Sequence, residues 1–173
     1  LFRSNTVAIT VQPAVIELSR IAAGTGGFVI NGQGASDYSG VSVASAGDVN
    51  GDGLDDLLVG ADRSDHSGLV DAGRSYVVFG KTGTTAIDLS AVVAGTGGFV
   101  MNGESTSDWS GFSVAGAGDL NGDGLADLIV SSYRAAALGL LQAGKSYVVF
   151  GKTSTTAVNL SAVAAGNGGF VIN

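Results

Sequence analysis

The sequence contains the nine-residue stretch Asp48-Val49-Asn50-Gly51-Asp52-Gly53-Leu54-Asp55-Asp56, which returns later in the chain as Asp119-Leu120-Asn121-Gly122-Asp123-Gly124-Leu125-Ala126-Asp127. In both copies Asp stands at positions 1, 5 and 9, Asn at position 3, and Gly at positions 4 and 6. Such agreement between two distant stretches indicates an internal repeat, and this repeat decides the fold before any single strand is assigned.

The repeat extends over most of the chain, always at the offset that separates Asp48 from Asp119. Residues 26–31 recur as 97–102 and again as 168–173, and residues 75–81 recur as 146–152. Self-similarity at a fixed period is typical of arrays in which each unit is one small arrangement of strands or helices. We therefore take the offset from Asp48 to Asp119 as the length of one structural unit.

Short stretches rich in Val, Ile, Phe and Tyr alternate with Gly, Asp, Asn and Ser, which predicts four β-strands near 40–47, 56–61, 74–80 and 98–102. The second and third strands are apolar at consecutive positions, so both faces of their sheet must be covered. The first strand has small side chains, as expected where sheets converge around an axis. Residues 87–93 are expected to form at most one or two helical turns. The sequence thus predicts an all-β fold of propeller blades, each with four antiparallel strands.

The chain is predicted to hold about two and a half blades, since a propeller blade is a four-stranded sheet. Residues 40–110 and 111–173 each form a blade with one copy of the nine-residue loop, and residues 1–39 supply strands three and four of a preceding, incomplete blade. We assign the third strand of that incomplete blade to residues 4–9, which precede residues 75–80 by one unit length. A blade cannot cover its own faces, so further blades or other copies of the chain are expected to do so.

Composition excludes several classes of protein. Six of the fifteen acidic residues lie in the two loops, and removing those charges from the net charge of −7 leaves −1, so the acidity is local. The eight Lys and Arg residues are scattered, and we therefore expect no nucleic-acid partner. The absence of Cys excludes disulfides and thiolate chemistry. No run of 18 apolar residues is present, and we expect no membrane insertion.

The two nine-residue loops have the composition of calcium sites. Ca²⁺ binds six to eight oxygen atoms in flexible geometry, and each loop offers three carboxylates, an Asn side-chain oxygen and a backbone carbonyl at position 7. Because the loops lie on separate blades, we expect two independent sites. The predicted ligands of the two Ca²⁺ ions are Asp48, Asn50, Asp52, Leu54 and Asp56 in one loop and Asp119, Asn121, Asp123, Leu125 and Asp127 in the other.

Other interpretations of these loops are a Gly- and Asp-rich turn that binds nothing, an EF-hand and a magnesium site. An EF-hand requires a bidentate Glu at position 12, where the sequence has Val59 and Val130. Magnesium prefers few protein ligands and retained water molecules, so it fits this ligand set less well than calcium. A simple turn that binds no metal remains the alternative interpretation.

His66 and Asn159 each have a simple structural interpretation. His66 is the only histidine and lies in a polar loop, where we expect a surface residue and not a catalytic base. Asn159 begins a stretch with the spacing of a glycosylation site, but the equivalent positions of the other units hold Glu17 and Asp88. A side chain that caps a turn accounts for all three residues.

The units resemble the FG-GAP repeats of integrin α-subunit propellers and of many large bacterial surface and secreted proteins. The resemblance rests on the Asp-x-Asn-x-Asp-Gly-x-x-Asp loops and on Gly60-Ala61-Asp62, which approximates the Gly-Ala-Pro end of the family pattern. Ser39-Gly40 and Ser110-Gly111 stand in for Phe-Gly, which fits a bacterial repeat better than an animal integrin. The resemblance implies a seven-bladed ring, the same calcium ligands, and recognition of partners at the face opposite the calcium loops.

The resulting hypothesis is a calcium-binding structural or adhesive module of a secreted or cell-surface bacterial protein, without catalytic activity. The alternative is an accessory domain, for example a carbohydrate-binding one, of a larger secreted enzyme. A protein or glycan partner is then expected at the face that carries loops 62–73 and 133–144 and the connections containing Asp37-Tyr38 and Asp108-Trp109. In the second of these, Leu138 and Leu141 form a candidate interface, because contiguous exposed apolar surface marks contacts. A loop folded back over its own blade is the alternative.

Overall fold

The structure is a computed structural model, and it describes residues 15–173, which fold mainly into short β-strands. The predicted strand at residues 4–9 lies outside the described range. The strands are β1 (Ile30–Asn31), β2 (Ser42–Gly47), β3 (Asp56–Ala61), β4 (Arg74–Val78), β5 (Ile87–Asp88), β6 (Gly98–Asn102), β7 (Ser113–Gly118), β8 (Asp127–Ser132), β9 (Lys145–Val149), β10 (Val158–Asn159) and β11 (Gly169–Ile172). The helices are α1 (Leu18–Ala22), α2 (Leu89–Val93) and α3 (Leu160–Ala164). None of the helices in the described range is long and apolar enough to cross a membrane.

Each complete unit folds into an antiparallel meander, β2-β3-β4-β6 in the first and β7-β8-β9-β11 in the second. The predicted all-β fold of four-stranded propeller blades is confirmed. Strand β4 ends at Val78 instead of residue 80. The reason is that the Gly80 N–H donates to the side chain of Asp56 and not to a neighbouring strand.

A two-residue strand from each unit extends the sheet of the unit before it. Strand β10 runs parallel to β6, with Val158 beside Met101 and Asn159 beside Asn102, and β5 pairs with β1 in the same way. The predicted helical turn in 87–93 is present as α2, but the short strand in front of it was not expected. Adjacent units are therefore joined by backbone hydrogen bonds as well as by side-chain packing.

Asparagine side chains reinforce this junction between units. The Asn102 amide donates to Asn159 Oδ1 at 3.0 Å, and the Asn31 amide donates to Asp88 Oδ1 at 2.8 Å. The prediction that Glu17, Asp88 and Asn159 cap turns is wrong, because none of these side chains bonds to a helix N–H. At the two described junctions, Asp88 and Asn159 instead accept the amide of the preceding unit.

The main core lies between the two sheets. Phe99 is fully buried at this junction, whereas Phe170, its equivalent on the outer face of the second sheet, is 44% exposed. A sheet in this chain therefore buries its outer face only where another unit packs on it. The largest members of this core are Leu58, Val77, Phe99 and Met101 from the first unit and Leu128, Val130, Tyr147 and Leu160 from the second.

The first strands of the two blades, β2 and β7, approach each other closely. A Cβ atom at Gly116 would lie 2.8 Å from the carbonyl oxygen of Ser45, so a larger residue does not fit there. The Ser42 hydroxyl accepts the Val114 N–H at 3.1 Å across the same gap. The small side chains of the first strand are thus required by the short distance between blades at this point.

We expect Gly60→Ala to destabilise the junction between the blades. A Cβ atom at Gly60 would lie 2.0 Å from the carbonyl oxygen of Gly111, and backbone cannot move aside as a flexible side chain can. Overpacking of this kind costs about 1–3 kcal/mol. The melting temperature, measured by circular dichroism, should fall by about 2–4 °C for each kcal/mol.

The matched control is Ser131→Ala, at the equivalent position of the second unit. Ser131 already carries a Cβ atom, and the change removes only its hydroxyl, which accepts the Ser113 N–H at 3.2 Å at an exposed position, so the free energy of unfolding should change by less than about 1 kcal/mol. Equal melting temperatures of the two variants would contradict the proposed close packing at Gly60.

Candidate functional site

The carboxylate of Asp48 organises the first loop, residues 48–56, by accepting three backbone N–H groups. Gly51 and Asp52 donate to Oδ1 at 2.7 and 3.1 Å, and Gly53 donates to Oδ2 at 2.8 Å. Gly51 and Gly53 have φ angles of 80° and 86°, in the left-handed region that favours glycine. An Asp at position 1 and glycines at positions 4 and 6 therefore determine the shape of this turn.

Asn50 and Asp52 are tied to each other inside this turn. The Asn50 side-chain oxygen accepts the Asp52 N–H at 2.8 Å, and the Asn50 amide donates to Asp52 Oδ2 at 2.9 Å. The other oxygen of Asp52 accepts the Leu54 N–H at 2.9 Å. Four of the predicted ligand residues of the first loop are thus held together by the loop's own hydrogen bonds.

The second loop, residues 119–127, repeats this pattern. Asp119 accepts N–H groups from Gly122, Asp123 and Gly124 at 2.7, 3.1 and 2.9 Å. The Asn121 amide again donates to Asp123, at 2.9 Å. The two loops therefore have one conformation that the sequence specifies twice.

The last Asp of each loop is fully buried and joins the loop to the sheet. Asp56 accepts the Val49 N–H from the loop at 2.9 Å and the Gly80 N–H beyond the end of β4 at 2.8 Å. A buried carboxylate is stable only when it is paired or hydrogen-bonded. Asp127 repeats the arrangement with the N–H groups of Leu120 and Gly151, each at 2.8 Å.

The carboxylates of Asp48 and Asp56 differ in how well the first loop stabilises their charged forms. Backbone N–H groups, that of Gly53 above all, lower the pKa of Asp48. Burial raises the pKa of Asp56, and although its two backbone donors oppose the rise, the negative charges of Asp52 and Asp48 add to it. A cation among these carboxylates would favour their charged forms, since an opposite charge lowers a carboxyl pKa.

The structure places the predicted ligand residues of each loop on one short turn. Their side-chain oxygen atoms do not surround a common position, however. Within residues 15–173, no three acidic or histidine side chains come close enough to hold a metal ion. The carboxylates point to loop N–H groups instead, as the bonds to Asp48 and Asp56 show. The chemistry of the donors fits calcium, because all of them are oxygen atoms and a hydrogen-bonded carboxylate keeps further lone pairs. The two-ion ligand set stays a prediction.

The two loops touch each other. The Ala126 N–H, in the second loop, donates to the Asp48 carbonyl of the first loop at 2.9 Å, and the Lys152 N–H donates to the Val49 carbonyl at 2.9 Å. Val49 is fully buried at this contact, whereas its equivalent Leu120 is 55% exposed. The first loop is therefore held by both units, and location on separate blades does not isolate the loops from each other.

A family model described as FG-GAP repeat matches residues 39–78 and 110–149, which include both loops and the first three strands of each sheet. The chain carries two FG-GAP repeats. This confirms the resemblance drawn from the loops, and it accounts for their recurrence at the same place in both sheets. We call residues 39–78 the first FG-GAP repeat and residues 110–149 the second.

Several curated proteins are similar to the chain. Integrin alpha-PS2 of Drosophila melanogaster is 35% identical over 109 residues, 61% of this chain and 7% of that protein. Phosphatidylinositol-glycan-specific phospholipase D of Bos taurus is 35% identical over 108 residues, 62% of this chain and 12% of that protein. Integrin alpha-IIb of Mus musculus is 35% identical over 108 residues, 60% of this chain and 10% of that protein. The chain thus matches only a small part of each relative's length.

The FG-GAP repeats form a second surface at the end of the sheets opposite the loops, which we call the rim. It consists of connections 62–73 and 133–144, between strands two and three, together with the connections that lead into each first strand. The Arg63 N–H donates to the Asp37 carbonyl at 3.4 Å, and the Trp109 N–H donates to the Asp71 carbonyl at 3.3 Å. The rim is thus one continuous surface across both FG-GAP repeats.

Arginine and aromatic side chains alternate along the rim. The Arg63 guanidinium carbon lies 3.6 Å from the centre of the Trp109 ring and 5.7 Å from that of Tyr38, and the Arg134 carbon lies 4.3 Å from the Trp109 ring. The sequence predicts Tyr38 and Trp109 on this face, but it does not predict the packing of the two arginines against them. The available signal was the repeat itself, since Trp109 follows Tyr38, and Arg134 follows Arg63, by one unit length.

His66 lies in the rim but not on its surface. Its side chain is buried, and the prediction of an exposed loop residue is wrong. His66 and Leu69 exchange backbone hydrogen bonds at 3.2 and 2.7 Å, so the connection folds into a tight turn against the blade. Burial, together with the charge of Arg74, lowers the pKa of His66.

We expect Asp56→Ala to destabilise the protein strongly, because it leaves the Val49 and Gly80 N–H groups without an acceptor. An orphaned buried donor costs about 1–3 kcal/mol. The free energy of unfolding should be measured by urea denaturation in EDTA, so that bound metal does not contribute.

The matched control is Asp55→Ala, which removes an exposed carboxylate from the adjacent position and should change stability by less than about 0.5 kcal/mol. Equal losses in both variants would show that the buried carboxylate does not hold the loop.

Proposed function

We propose that this chain is a calcium-binding, non-catalytic propeller module of a secreted or cell-surface protein, bacterial in origin. The observation that carries the proposal is the duplicated loop, with the same oxygen-bearing residues in the same conformation in both FG-GAP repeats. Asp48 and the glycines shape the turn, and the buried Asp56 joins it to the sheet, but neither role requires a further acidic residue at position 5. Both loops nevertheless carry one there, Asp52 and Asp123.

Calcium would bind the carboxylates of Asp48, Asp52 and Asp56, the side-chain oxygen of Asn50 and the carbonyl of Leu54. When bound, it supplies the positive charge that offsets the repulsion acting on buried Asp56. The chain itself supplies a preformed turn and an attachment to the sheet. The corresponding residues of the second loop are Asp119, Asn121, Asp123, Leu125 and Asp127.

A structural or adhesive role is supported by the similarity to proteins named integrin alpha. In this role the loops stabilise the blades, and the rim presents variable side chains to a protein or glycan partner. An accessory domain of a larger secreted enzyme is the second candidate, and it is supported by the similarity to phosphatidylinositol-glycan-specific phospholipase D. Both candidates place the binding of calcium in this chain and any catalysis outside it.

Removal of calcium should lower the stability of the chain. Extracellular calcium modules bind with dissociation constants of about 10⁻⁴ to 10⁻³ M. At millimolar calcium, linkage then contributes about 0.4–1.4 kcal/mol for each site. The melting temperature should fall in excess EDTA and return with added calcium, but not with an equal concentration of magnesium. An unchanged melt in EDTA at neutral pH would contradict calcium binding.

Single substitutions should separate the two sites. Asp52→Ala and Asp123→Ala each delete a central ligand, so calorimetric titration should show one bound ion in each variant and two in the wild type. Because the second unit also holds the first loop, through Lys152 and Ala126, the ion left in Asp123→Ala should bind more tightly. Equal affinities in the two variants would contradict this difference, and loss of both ions in either variant would contradict two separable sites.

A further inference from the structure

The rim of the first FG-GAP repeat carries an arginine whose charge is balanced within the chain. Arg63 Nε lies 3.9 Å from a carboxylate oxygen of Asp62, and another guanidinium nitrogen lies 3.9 Å from a carboxylate oxygen of Asp71. These distances are those of loose ion pairs at a partly exposed site. The guanidinium carbon of the same arginine lies over the Trp109 ring.

The equivalent arginine of the second FG-GAP repeat, Arg134, has lost both carboxylates. The sequence has Tyr133 and Gln142 at the positions that correspond to the two aspartates. Within the described part of the chain, Arg134 forms no salt bridge. The two acidic residues of connection 103–112, which carries Trp109, are already accommodated, since Glu104 pairs with Lys145 at 2.9 Å and Asp108 is buried.

Aromatic side chains hold Arg134 in place. Its guanidinium carbon lies 4.3 Å from the centre of the Trp109 ring. The Tyr133 ring lies 5.7 Å from the Trp109 ring and 4.6 Å from the Phe112 ring. A guanidinium stacked on an aromatic ring keeps the donors along its edge, which fit the two oxygens of a carboxylate. The site is therefore oriented for an anion before the anion arrives.

The surroundings of Arg134 favour a protein partner over a sugar. Phe112 and Tyr133 are 46% and 43% exposed, and connection 133–144 also carries Leu138 and Leu141, which are 83% and 89% exposed. The exposed leucines are those that the sequence marks as an interface. Aliphatic and aromatic side chains around a polar contact are typical of the buried centre of a protein–protein interface.

We propose that Arg134 binds a carboxylate side chain of an acidic protein segment whose neighbouring apolar residues pack on Tyr133, Phe112 and the exposed leucines. This inference rests on the proposed role of the rim as the recognition surface. It does not depend on calcium in the loops, which lie at the other end of the sheets.

Trp109 is the only tryptophan of the chain, so its fluorescence reports directly on this site. The probe is the peptide acetyl-Glu-Leu-Glu-Leu-Glu-amide, titrated at one fixed free calcium concentration. The same peptide with Gln in place of Glu is the neutral control. We expect a saturable change with the acidic peptide and an affinity about tenfold to a hundredfold lower in Arg134→Gln, as for loss of a charged hydrogen bond.

Two further variants distinguish recognition from general disturbance of the rim. Arg63→Gln changes the equivalent arginine, which already has carboxylate neighbours, and should keep the affinity of the wild type. Gln142→Asp restores the carboxylate that Asp71 provides beside Arg63, leaves Tyr133 in place, and should weaken binding as much as Arg134→Gln does. The melting temperature of each variant should stay close to that of the wild type.

The proposal is overturned if the acidic peptide gives no saturable change, if the neutral peptide binds equally well, or if Arg63→Gln and Arg134→Gln lose the same affinity. Tighter binding of oligogalacturonate, a carboxylated sugar, would overturn the choice of a protein segment. Failure of calcium binding would leave the fluorescence titration unaffected, so the two hypotheses fail separately.

Discussion

A buried carboxylate at the start of the second strand holds each FG-GAP repeat together. Asp56 and Asp127 are fully buried, and each accepts one N–H from its loop and one from a glycine just beyond the end of the third strand. A charge in this position is tolerable only when those donors are in place. The loop, the second strand and the end of the third strand must therefore form together, which explains why the loop motif ends in Asp at this point.

Contacts between the two FG-GAP repeats join their sheets to each other. The short strand β10 pairs with β6, and Lys152 lies over the ring of Phe99 with its Nζ 4.6 Å from the centre, just as Lys81 lies 4.7 Å from Phe28. The first loop also bonds to the second repeat. Since sheets and loops are fixed by contacts that recur in each repeat, the rim connections are free to differ, and they are where the two repeats diverge.

The strands could be predicted from the sequence because each carries a strong local signal, such as the consecutive apolar residues of β3 and β4. The loops were equally clear, since Asp and Gly determine their turns locally. Strand β5 could not be predicted, because two residues carry no periodic pattern and form a strand only beside another unit. The burial of His66 and the position of Arg63 over Trp109 depend on contacts between connections that are far apart in the sequence. The amino-acid composition of the polar loop does not reveal those contacts.

We propose that the duplicated loops bind calcium. The most direct measurement is a crystal structure of the chain grown with calcium, with an anomalous difference map calculated at both loops. Calcium binding predicts two peaks, one in residues 48–56 and one in 119–127, each with carboxylate oxygens at about 2.3–2.6 Å. Well-ordered loops whose carboxylates stay hydrogen-bonded to backbone N–H groups, with no peak in either loop, would contradict it.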